Sequence, residues 1–248
     1  MNTALEHSAA AARLSAEIEA YWDERSEAFS KVRLQELNGP DGRAWWETIA
    51  PRLPAGKKLR VLDIGTGAGF FAILLGKAGH EVTAIDQSGS MLRHARENAL
   101  ACGTHATFRK MDAQKLLFPD NSFDLILSRN LTWTLPDALG AYREWLRVLK
   151  KGGLLLNFDS DCGRCSFEDT VDTAHAQTQV DKAQVQRCNA IKEQLSISTC
   201  RRPYWDLAVL QELGCECSCE EDISRRVHLD PGIAYDNIPL FAICAHKK

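Results

Sequence analysis

The chain has 248 residues, of which 45% are hydrophobic and 25% charged, and its formal net charge is −3. This length and apolar fraction suffice for one large domain with a buried core, or for a core with an appended subdomain. The near-neutral charge argues against a basic nucleic-acid-binding surface.

The N-terminal residues read as an alanine-rich helix rather than a secretory leader. Residues 1–20 lack a basic start and an apolar centre, and no run of 18 apolar residues could span a membrane. Nine cysteines, an odd number, without a leader suggest reduced thiols. We therefore expect a cytoplasmic protein, a monomer or a homodimer, with neither nucleic acid nor membrane as partner.

Helical sequence over residues 1–37 precedes a loop signal at residues 38–42 and a short helix at 44–50. We interpret residues 1–50 as an N-terminal helical cap and residues 51–248 as the main domain.

Strands and helices alternate through the main domain. Strands are predicted at residues 59–64, 81–86, 106–110, 123–128, 154–158, 215–223 and 238–246. Helices are predicted at residues 70–77, from an N-cap at Ser88 to 102, from Pro136 in a first turn to about 149, and at 206–213. Apolar strands separated by helices predict an α/β fold with a parallel sheet covered on both faces.

Residues 160–203 interrupt this alternation with polar, helix-compatible sequence. They follow the fifth strand at the edge where open α/β sheets bind ligands. This segment is therefore predicted to be a helical lid insert.

Glycines and acids mark the first two strands of the main domain. The first strand ends at Asp63 and runs into Gly65, Gly67 and Gly69, and the second strand ends at Asp86. Alternating glycines let a backbone approach a ligand closely, and a carboxylate at the tip of the second strand reaches ribose hydroxyls. The pattern predicts a nucleoside-binding half-site.

Two cofactors compete for that half-site. Residues 67–72 fit the G-x-G-x-x-A pattern of nicotinamide and flavin dinucleotide folds. The acid two residues before the first glycine instead favours a positively charged ligand over a pyrophosphate. A nicotinamide-dependent oxidoreductase is the less favoured alternative.

The full frame Asp63-Ile-Gly65-Thr-Gly67-Ala-Gly69 resembles motif I of class I S-adenosylmethionine-dependent methyltransferases. Asp86, Met111-Asp112-Ala113 and residues 121–126 and 145–153 resemble later motifs of that family in order. The finer resemblance is to its small-molecule enzymes of the methyltransferase-11 or ubiquinone/menaquinone type. The resemblance implies a Rossmann-like fold with a mostly parallel seven-stranded sheet, an antiparallel C-terminal strand and helices on both faces.

The resemblance also implies S-adenosylmethionine as cofactor, S-adenosylhomocysteine as product, and a set of site residues. The implied cofactor-binding residues are Tyr21, Asp63, Gly65, Thr66, Gly67, Gly69, Asp86, Gln87, Met91, Met111, Asp112, Ala113, Arg129 and Asn130. The segment Tyr21-Trp22-Asp23-x-Arg25-Ser26 resembles one found in a bacterial subgroup, and Trp22, Arg25 and Trp133 are expected in the substrate pocket. No catalytic residue is identified; Arg129, Asn130 and His228 are the candidates.

Methyl transfer is an in-line displacement with a good neutral leaving group, so positioning and desolvation can supply much of the catalysis without a metal. We expect a small-molecule acceptor. Ser128-Arg129-Asn130-Leu131 replaces the Asp/Asn-Pro-Pro-aromatic signature of DNA amino-methyltransferases. A module that binds S-adenosylmethionine without turnover remains an alternative.

The cysteines leave a second question open. Cys162 and Cys165 form a C-x-x-C pair near the expected site, and Cys215, Cys217 and Cys219 alternate, as residues on one face of a strand do. Incidental reduced thiols are the favoured interpretation. Structural zinc and thiol-based arsenite methylation are the alternatives.

Overall fold

The structure, a computed structural model, describes residues 2–165, 181–233 and 235–248, with side chains described from residue 11 onward. The helices are α1 (Asn2–Asn38), α2 (Pro40–Ile49), α3 (Phe70–Lys77), α4 (Gly89–Ala101), α5 (Ala138–Val148), α6 (Lys182–Glu193), α7 (Tyr204–Glu212) and α8 (Ser224–Val227). The strands are β1 (Arg60–Ile64), β2 (Glu81–Asp86), β3 (Thr107–Lys110), β4 (Phe123–Arg129), β5 (Leu149–Ser160), β6 (Cys215–Glu220) and β7 (Leu240–Lys247).

The seven strands form one sheet in the order β3-β2-β1-β4-β5-β7-β6. Strands β1 to β5 pair in parallel, whereas β7 runs antiparallel to both β5 and β6. The predicted mostly parallel, seven-stranded sheet with an antiparallel C-terminal strand is confirmed. The strand order reverses between β1 and β4, so the carboxyl ends of these two strands face a crevice suited to a ligand.

Apolar side chains fill both faces of the sheet. Leu62 and Ile64 of β1 belong to one buried cluster, and Val61 belongs to the other. This two-sided burial explains why the central strands read as continuous apolar runs.

The predicted loop at residues 38–42 is wrong. Only Gly39 separates α1 from α2, because Pro40 occupies the first turn of α2, where its missing N–H costs nothing. The acid that suggested a loop, Asp41, is buried and accepts hydrogen bonds from the backbone N–H groups of Leu229 and Asp230.

Four other boundaries also differ from prediction. Helix α5 begins at Ala138 with Asp137 as its N-cap, so Pro136 precedes the helix. Strand β5 begins at Leu149, so the basic and glycine-containing stretch before Leu154 is strand. Strand β6 ends at Glu220 and strand β7 begins at Leu240, so both are shorter than expected.

The predicted insert at 160–203 contains α6 and two short 3-10 segments at Cys162–Arg164 and Ser196–Thr199. Its residues 166–180 lie outside the described part of the chain. Within the described ranges, no helix has the length and apolarity needed to cross a membrane.

Candidate active site

A cavity of about 470 Å³ lies at the carboxyl ends of the parallel strands. Its size falls within the roughly 300–1,000 Å³ of small-molecule and cofactor sites. The glycine loop, the tips of β2 and β4, helices α1 and α6 and the segment before β7 all contribute to its walls. The site predicted at this sheet edge therefore coincides with a built cavity.

The glycine loop has a backbone that only glycine tolerates well. Gly65, Gly67 and Gly69 have φ angles of +68°, +51° and +91°, in the left-handed region where a Cβ atom is strained. A Cβ on Gly65 would also lie 2.8 Å from the Leu131 side chain. Gly65 and Gly67 line the cavity, whereas the predicted Gly69 does not.

Asp63 shapes this loop from inside the protein. Its Oδ2 accepts hydrogen bonds from Thr66 Oγ1 at 2.6 Å and from the backbone N–H of Ala72 at 3.0 Å. Burial raises the pKa of the Asp63 carboxyl to about 7. Asp63 and Thr66 are not among the residues that line the cavity, and here they hold the loop that does.

Asp86 joins the glycine loop to the start of α4. Its two carboxylate oxygens accept hydrogen bonds from the backbone N–H groups of Gly67 and Ser88, each at 2.8 Å. Burial raises the pKa of Asp86 to about 6. Asp86 also lines the cavity, so its carboxylate is available to the hydroxyl groups of a ribose.

Four of the five residues predicted for the adenosine end of the site line the cavity. Gln87, Met91, Met111 and Ala113 line the cavity. The predicted Asp112 does not line it. Asp112 accepts hydrogen bonds from the backbone and side chain of Gln114 at 2.8 and 3.0 Å, and Gln114 forms that part of the wall.

Helix α1 supplies the opposite wall with Tyr21, Trp22, Arg25 and Phe29. Arg25 Nη1 donates a hydrogen bond to the Tyr21 hydroxyl at 2.7 Å, and its guanidinium carbon lies 5.3 Å from the Trp22 ring centroid. Burial raises the pKa of Tyr21 above its ordinary value. Tyr21 therefore stays protonated and presents a neutral hydroxyl group.

Arg129 and Asn130 lie at the tip of β4, where both line the cavity. Arg129 donates hydrogen bonds to both carboxylate oxygens of Glu36 and stacks 4.5 Å from the Trp45 ring centroid. Asn130 has a left-handed φ of +52°. The charge of Arg129 is thus largely engaged by α1.

His228 lines the cavity and stacks on Tyr235 with ring centroids 3.7 Å apart and an interplanar angle of 1°. Burial and the nearby Arg129 lower the pKa of His228 to about 3. Its imidazole is neutral at neutral pH, so it can accept or donate a hydrogen bond but binds a proton only weakly.

The far side of the cavity, beyond the tips of β4 and β5, is lined mostly by apolar side chains and cysteines, with Ser160 and Asp236 as its polar members. Its described lining residues include Trp133, Leu135, Cys162, Val185, Cys188 and Ile238. Beneath them, Asp159 Oδ2 accepts a hydrogen bond from the Trp133 backbone N–H at 3.3 Å and pairs with Arg202 at 3.1 Å. Arg202 also makes two hydrogen bonds to Asp206. This buried ionic group holds the floor of the pocket.

The cysteines do not assemble into a metal site in the described residues. Cys215, Cys217 and Cys219 share a face of β6, as predicted, and they pack against the hydrophobic core. No group of three or more histidine, cysteine or acidic side chains within residues 2–165, 181–233 and 235–248 is placed to hold a metal ion.

Several wall residues were not predicted from the sequence. On α1 these include Ser15, Ile18 and Phe29, which continue the helical spacing of Tyr21, Trp22 and Arg25. That spacing could have found them. Cys188 and Ile238 lie far along the chain from the recognised motifs, and no local signal marks them.

The residues present fit an adenosine group. The glycine loop leaves room for close backbone approach, Asp86 presents a carboxylate that ribose hydroxyls could reach, and Met91 and Ala113 offer apolar surface. Aromatic rings of Tyr21 and Trp22 complete the opposite wall.

The methyltransferase domain family matches residues 62–157, the region from β1 into β5. A Bacillus subtilis (strain 168) protein named YqeM, itself only provisionally assigned as a methyltransferase, is 30% identical over 175 residues, which cover 69% of each chain. The malonyl-acyl-carrier-protein O-methyltransferase of Erwinia pyrifoliae is 44% identical over 113 residues, 44% of this chain and 40% of the relative. The matches span only 40–47% of the first four curated relatives.

The fold is likewise similar to that of known structures. An S-adenosylmethionine-dependent methyltransferase from Mesorhizobium loti superposes with a TM-score of 0.60 at 23% identity, covering 84% of this chain and 100% of the other. At this identity the likeness concerns the fold alone.

Proposed function

This chain belongs to the S-adenosylmethionine-dependent methyltransferases, and we propose that it transfers a methyl group from S-adenosylmethionine to a small-molecule acceptor by in-line displacement. The observation that carries the proposal is the arrangement of Asp86 and the glycine loop. A cavity-facing carboxylate bonded to the Gly67 N–H is suited to a nucleoside whose ribose lies beside the loop.

When bound, the cofactor supplies an activated methyl group on a positively charged sulfur, with a neutral thioether as the leaving group. The protein then needs only to bind the cofactor and the acceptor, to orient them for the displacement, and to exclude water from the site. Gly65 and Gly67 would pass along the methionine part, Asp86 would accept hydrogen bonds from the ribose, and Met91 and Ala113 would flank the adenine. Asp63 and Thr66 would act indirectly, by fixing the loop through the hydrogen bonds described above.

The acceptor is proposed to bind between α1 and the apolar far side of the cavity. Trp22, Trp133 and Cys188 line this region, and one cavity of about 470 Å³ must hold both cofactor and acceptor. These limits favour a small acceptor, or the reacting end of a longer one, with substantial apolar surface.

His228 is proposed to orient the acceptor rather than to remove its proton. Its neutral imidazole can accept a hydrogen bond from an O–H or N–H group, but its low pKa makes it a weak base. Acceptors that are nucleophilic without a strong base are therefore favoured.

The acceptors of the curated relatives are not assigned to this chain. The enzyme that acts on malonyl-acyl-carrier protein aligns over less than half of this chain, and the matched family region ends at residue 157. Val185, Cys188 and Ile238 on the acceptor side lie beyond that region. Metalloid methylation gains no support, because no three-ligand cluster lies in the described residues.

The test is turnover with S-adenosylmethionine carrying an isotopically labelled methyl group, across a panel of small alcohols, carboxylic acids, thiols, amines and enols. Mass spectrometry of labelled product together with S-adenosylhomocysteine would support methyl transfer. Cofactor binding without transfer to any acceptor class would favour a non-catalytic module. Binding of nicotinamide cofactors alone would contradict the proposal.

A further inference from the structure

The segment Tyr21-Trp22-Asp23-x-Arg25-Ser26 divides its side chains between two partners. Tyr21, Trp22 and Arg25 line the cavity. Asp23 instead reaches the first turn of α4, the helix that follows the ribose-facing Asp86. None of the roles proposed for methyl transfer involves Asp23, although Asp23 lies inside this segment.

The contact between Asp23 and α4 uses one carboxylate oxygen. Asp23 Oδ1 accepts hydrogen bonds from Ser88 Oγ at 2.5 Å and from the Ser90 backbone N–H at 3.1 Å. Ser88 is the N-cap of α4, and its Oγ accepts from the Met91 N–H at 3.0 Å. Asp23 therefore adds a negative charge and an acceptor where the helix leaves N–H groups unpaired and its dipole is positive.

The Asp23 carboxylate is held in its ionised form. Partial burial raises its pKa, but the hydrogen bonds from Ser88 and Ser90 outweigh burial and hold the pKa below its ordinary value. The Ser26 hydroxyl donates to the Asp23 backbone carbonyl at 2.8 Å. Charge and local geometry thus both favour a fixed contact at neutral pH.

Further hydrogen bonds join α1 to Gln87, just before α4, and to Asn98, near the end of α4. Gln87, which directly follows Asp86, donates to the Ser15 hydroxyl at 2.7 Å. At the other end of α4, Asn98 donates at 3.0 Å to both the Ser30 hydroxyl and the Ala68 carbonyl of the glycine loop. Asp23 lies between these two anchors and carries the charge.

We propose that Asp23 is a positioning residue for the cofactor. Its carboxylate fixes α1 on the first turn of α4, so that Tyr21 and Trp22 form the cavity wall opposite Asp86. This inference rests on the proposed function, because it takes S-adenosylmethionine and its product as the ligands of that cavity.

The test compares Asp23→Ala, Asp23→Asn and a matched control, Glu27→Gln, one helical turn further along α1. Glu27 is exposed and forms its hydrogen bond and ion pair with Lys31 of the same helix. It interacts with Arg93 and His94 of α4 only through longer-range electrostatics, so its loss leaves the hydrogen bonds between Asp23 and α4 intact. The probe is S-adenosylhomocysteine. Its Kd is measured by calorimetry, and hydrogen exchange of peptides covering residues 14–30 is measured with and without it.

We expect Asp23→Ala to raise the Kd about tenfold, as loss of a charge-assisted contact would, and to reduce the protection that saturating ligand gives residues 14–30. Asp23→Asn keeps the accepting oxygen and should recover part of the affinity. Glu27→Gln should match the wild type. An asparagine variant as weak as the alanine variant would assign the effect to the charge and still support the proposal.

Failure of the proposed function and failure of the role of Asp23 give different results. If the wild type does not bind S-adenosylhomocysteine, the proposed function fails. If the wild type binds and Asp23→Ala binds equally well with equal protection, the role of Asp23 is overturned. Should Asp23→Ala not fold, the isosteric Asp23→Asn variant decides, and unchanged affinity and protection there would overturn the role.

Discussion

Arg129 at the tip of β4 and Glu36 near the end of α1 form a two-bond ion pair, with N–O distances of 2.6 and 3.0 Å. Glu36 is fully buried and also pairs with Arg33 at 2.7 Å. The pair connects the long N-terminal helix to the strand that ends beneath the cavity. It therefore fixes the wall that α1 contributes.

Replacing Glu36 by glutamine should destabilise the protein strongly. The substitution leaves Arg33 and Arg129 buried without their shared counter-charge, and breaking a buried pair in this way costs about 3–5 kcal/mol. Urea unfolding monitored by circular dichroism measures the change in the free energy of unfolding. The exposed Glu27→Gln control should leave that free energy unchanged, and an equally small effect of Glu36→Gln would contradict the account.

The far side of the cavity lies against a separate buried ionic group, in which Arg202 pairs with both Asp159 and Asp206. Arg202→Met should lower the free energy of unfolding by about 3–5 kcal/mol, because it leaves two acids buried side by side. Arg226→Met, which loses a half-exposed pair with Glu220, should cost under about 1 kcal/mol. Urea unfolding measures both free energies of unfolding. A decrease in Arg202→Met as small as that in Arg226→Met would show that the buried ionic group is not required for stability.

Asp86→Ala should weaken S-adenosylhomocysteine binding by roughly 1–3 kcal/mol, because a buried acceptor of ribose hydrogen bonds is lost. Asp124→Asn is the matched control. Asp124, near the amino end of β4, accepts hydrogen bonds from the Arg60 backbone N–H and from Lys150 and does not line the cavity. Calorimetric affinities that fall equally in both variants would argue against a ribose contact at Asp86.

The pH dependence of binding should also report on Asp86. Burial raises the pKa of this carboxyl to about 6, above its ordinary value of 3.8. Hydroxyl donors favour its ionised form, so binding should release a proton and the affinity for S-adenosylhomocysteine should increase as pH rises from about 5 to 7. Asp86→Asn, measured by calorimetry at the same pH values, should lack this slope in affinity. A slope that persists in the variant would exclude Asp86 as its source.

The same raised pKa affects stability in the opposite direction. An unfolded Asp86 ionises near pH 3.8 while the folded one holds its proton to about pH 6. Between these values the unfolded state binds fewer protons, so this residue's contribution to the free energy of unfolding decreases as pH rises from about 4 to 6. Urea unfolding of the wild type and Asp86→Asn over that range measures this contribution as the difference between their slopes.

The glycine-loop half of the cavity could be predicted from the sequence because its signals are local. Helix α3 and strand β2 have the predicted boundaries, at Phe70–Lys77 and Glu81–Asp86. Positive φ angles at Gly65, Gly67 and Gly69 explain why glycine recurs there. Each of these features depends on residues close together in the chain.

The remaining parts depend on residues that are distant in sequence. Arg129 engages Glu36, which lies on α1, and Arg202 reaches back to Asp159 across the insert. Pairs of this kind leave no periodic pattern. The misplaced loop before α2 has the same origin, because Asp41 serves backbone groups near residue 230 rather than a local turn.

The most direct test of the central claim is calorimetric titration of the purified protein with S-adenosylmethionine and S-adenosylhomocysteine, with NADH and NADPH as controls. The account predicts micromolar binding of the first two ligands and none of the nicotinamides. Binding of the nicotinamides alone, or of none of the four, would contradict it.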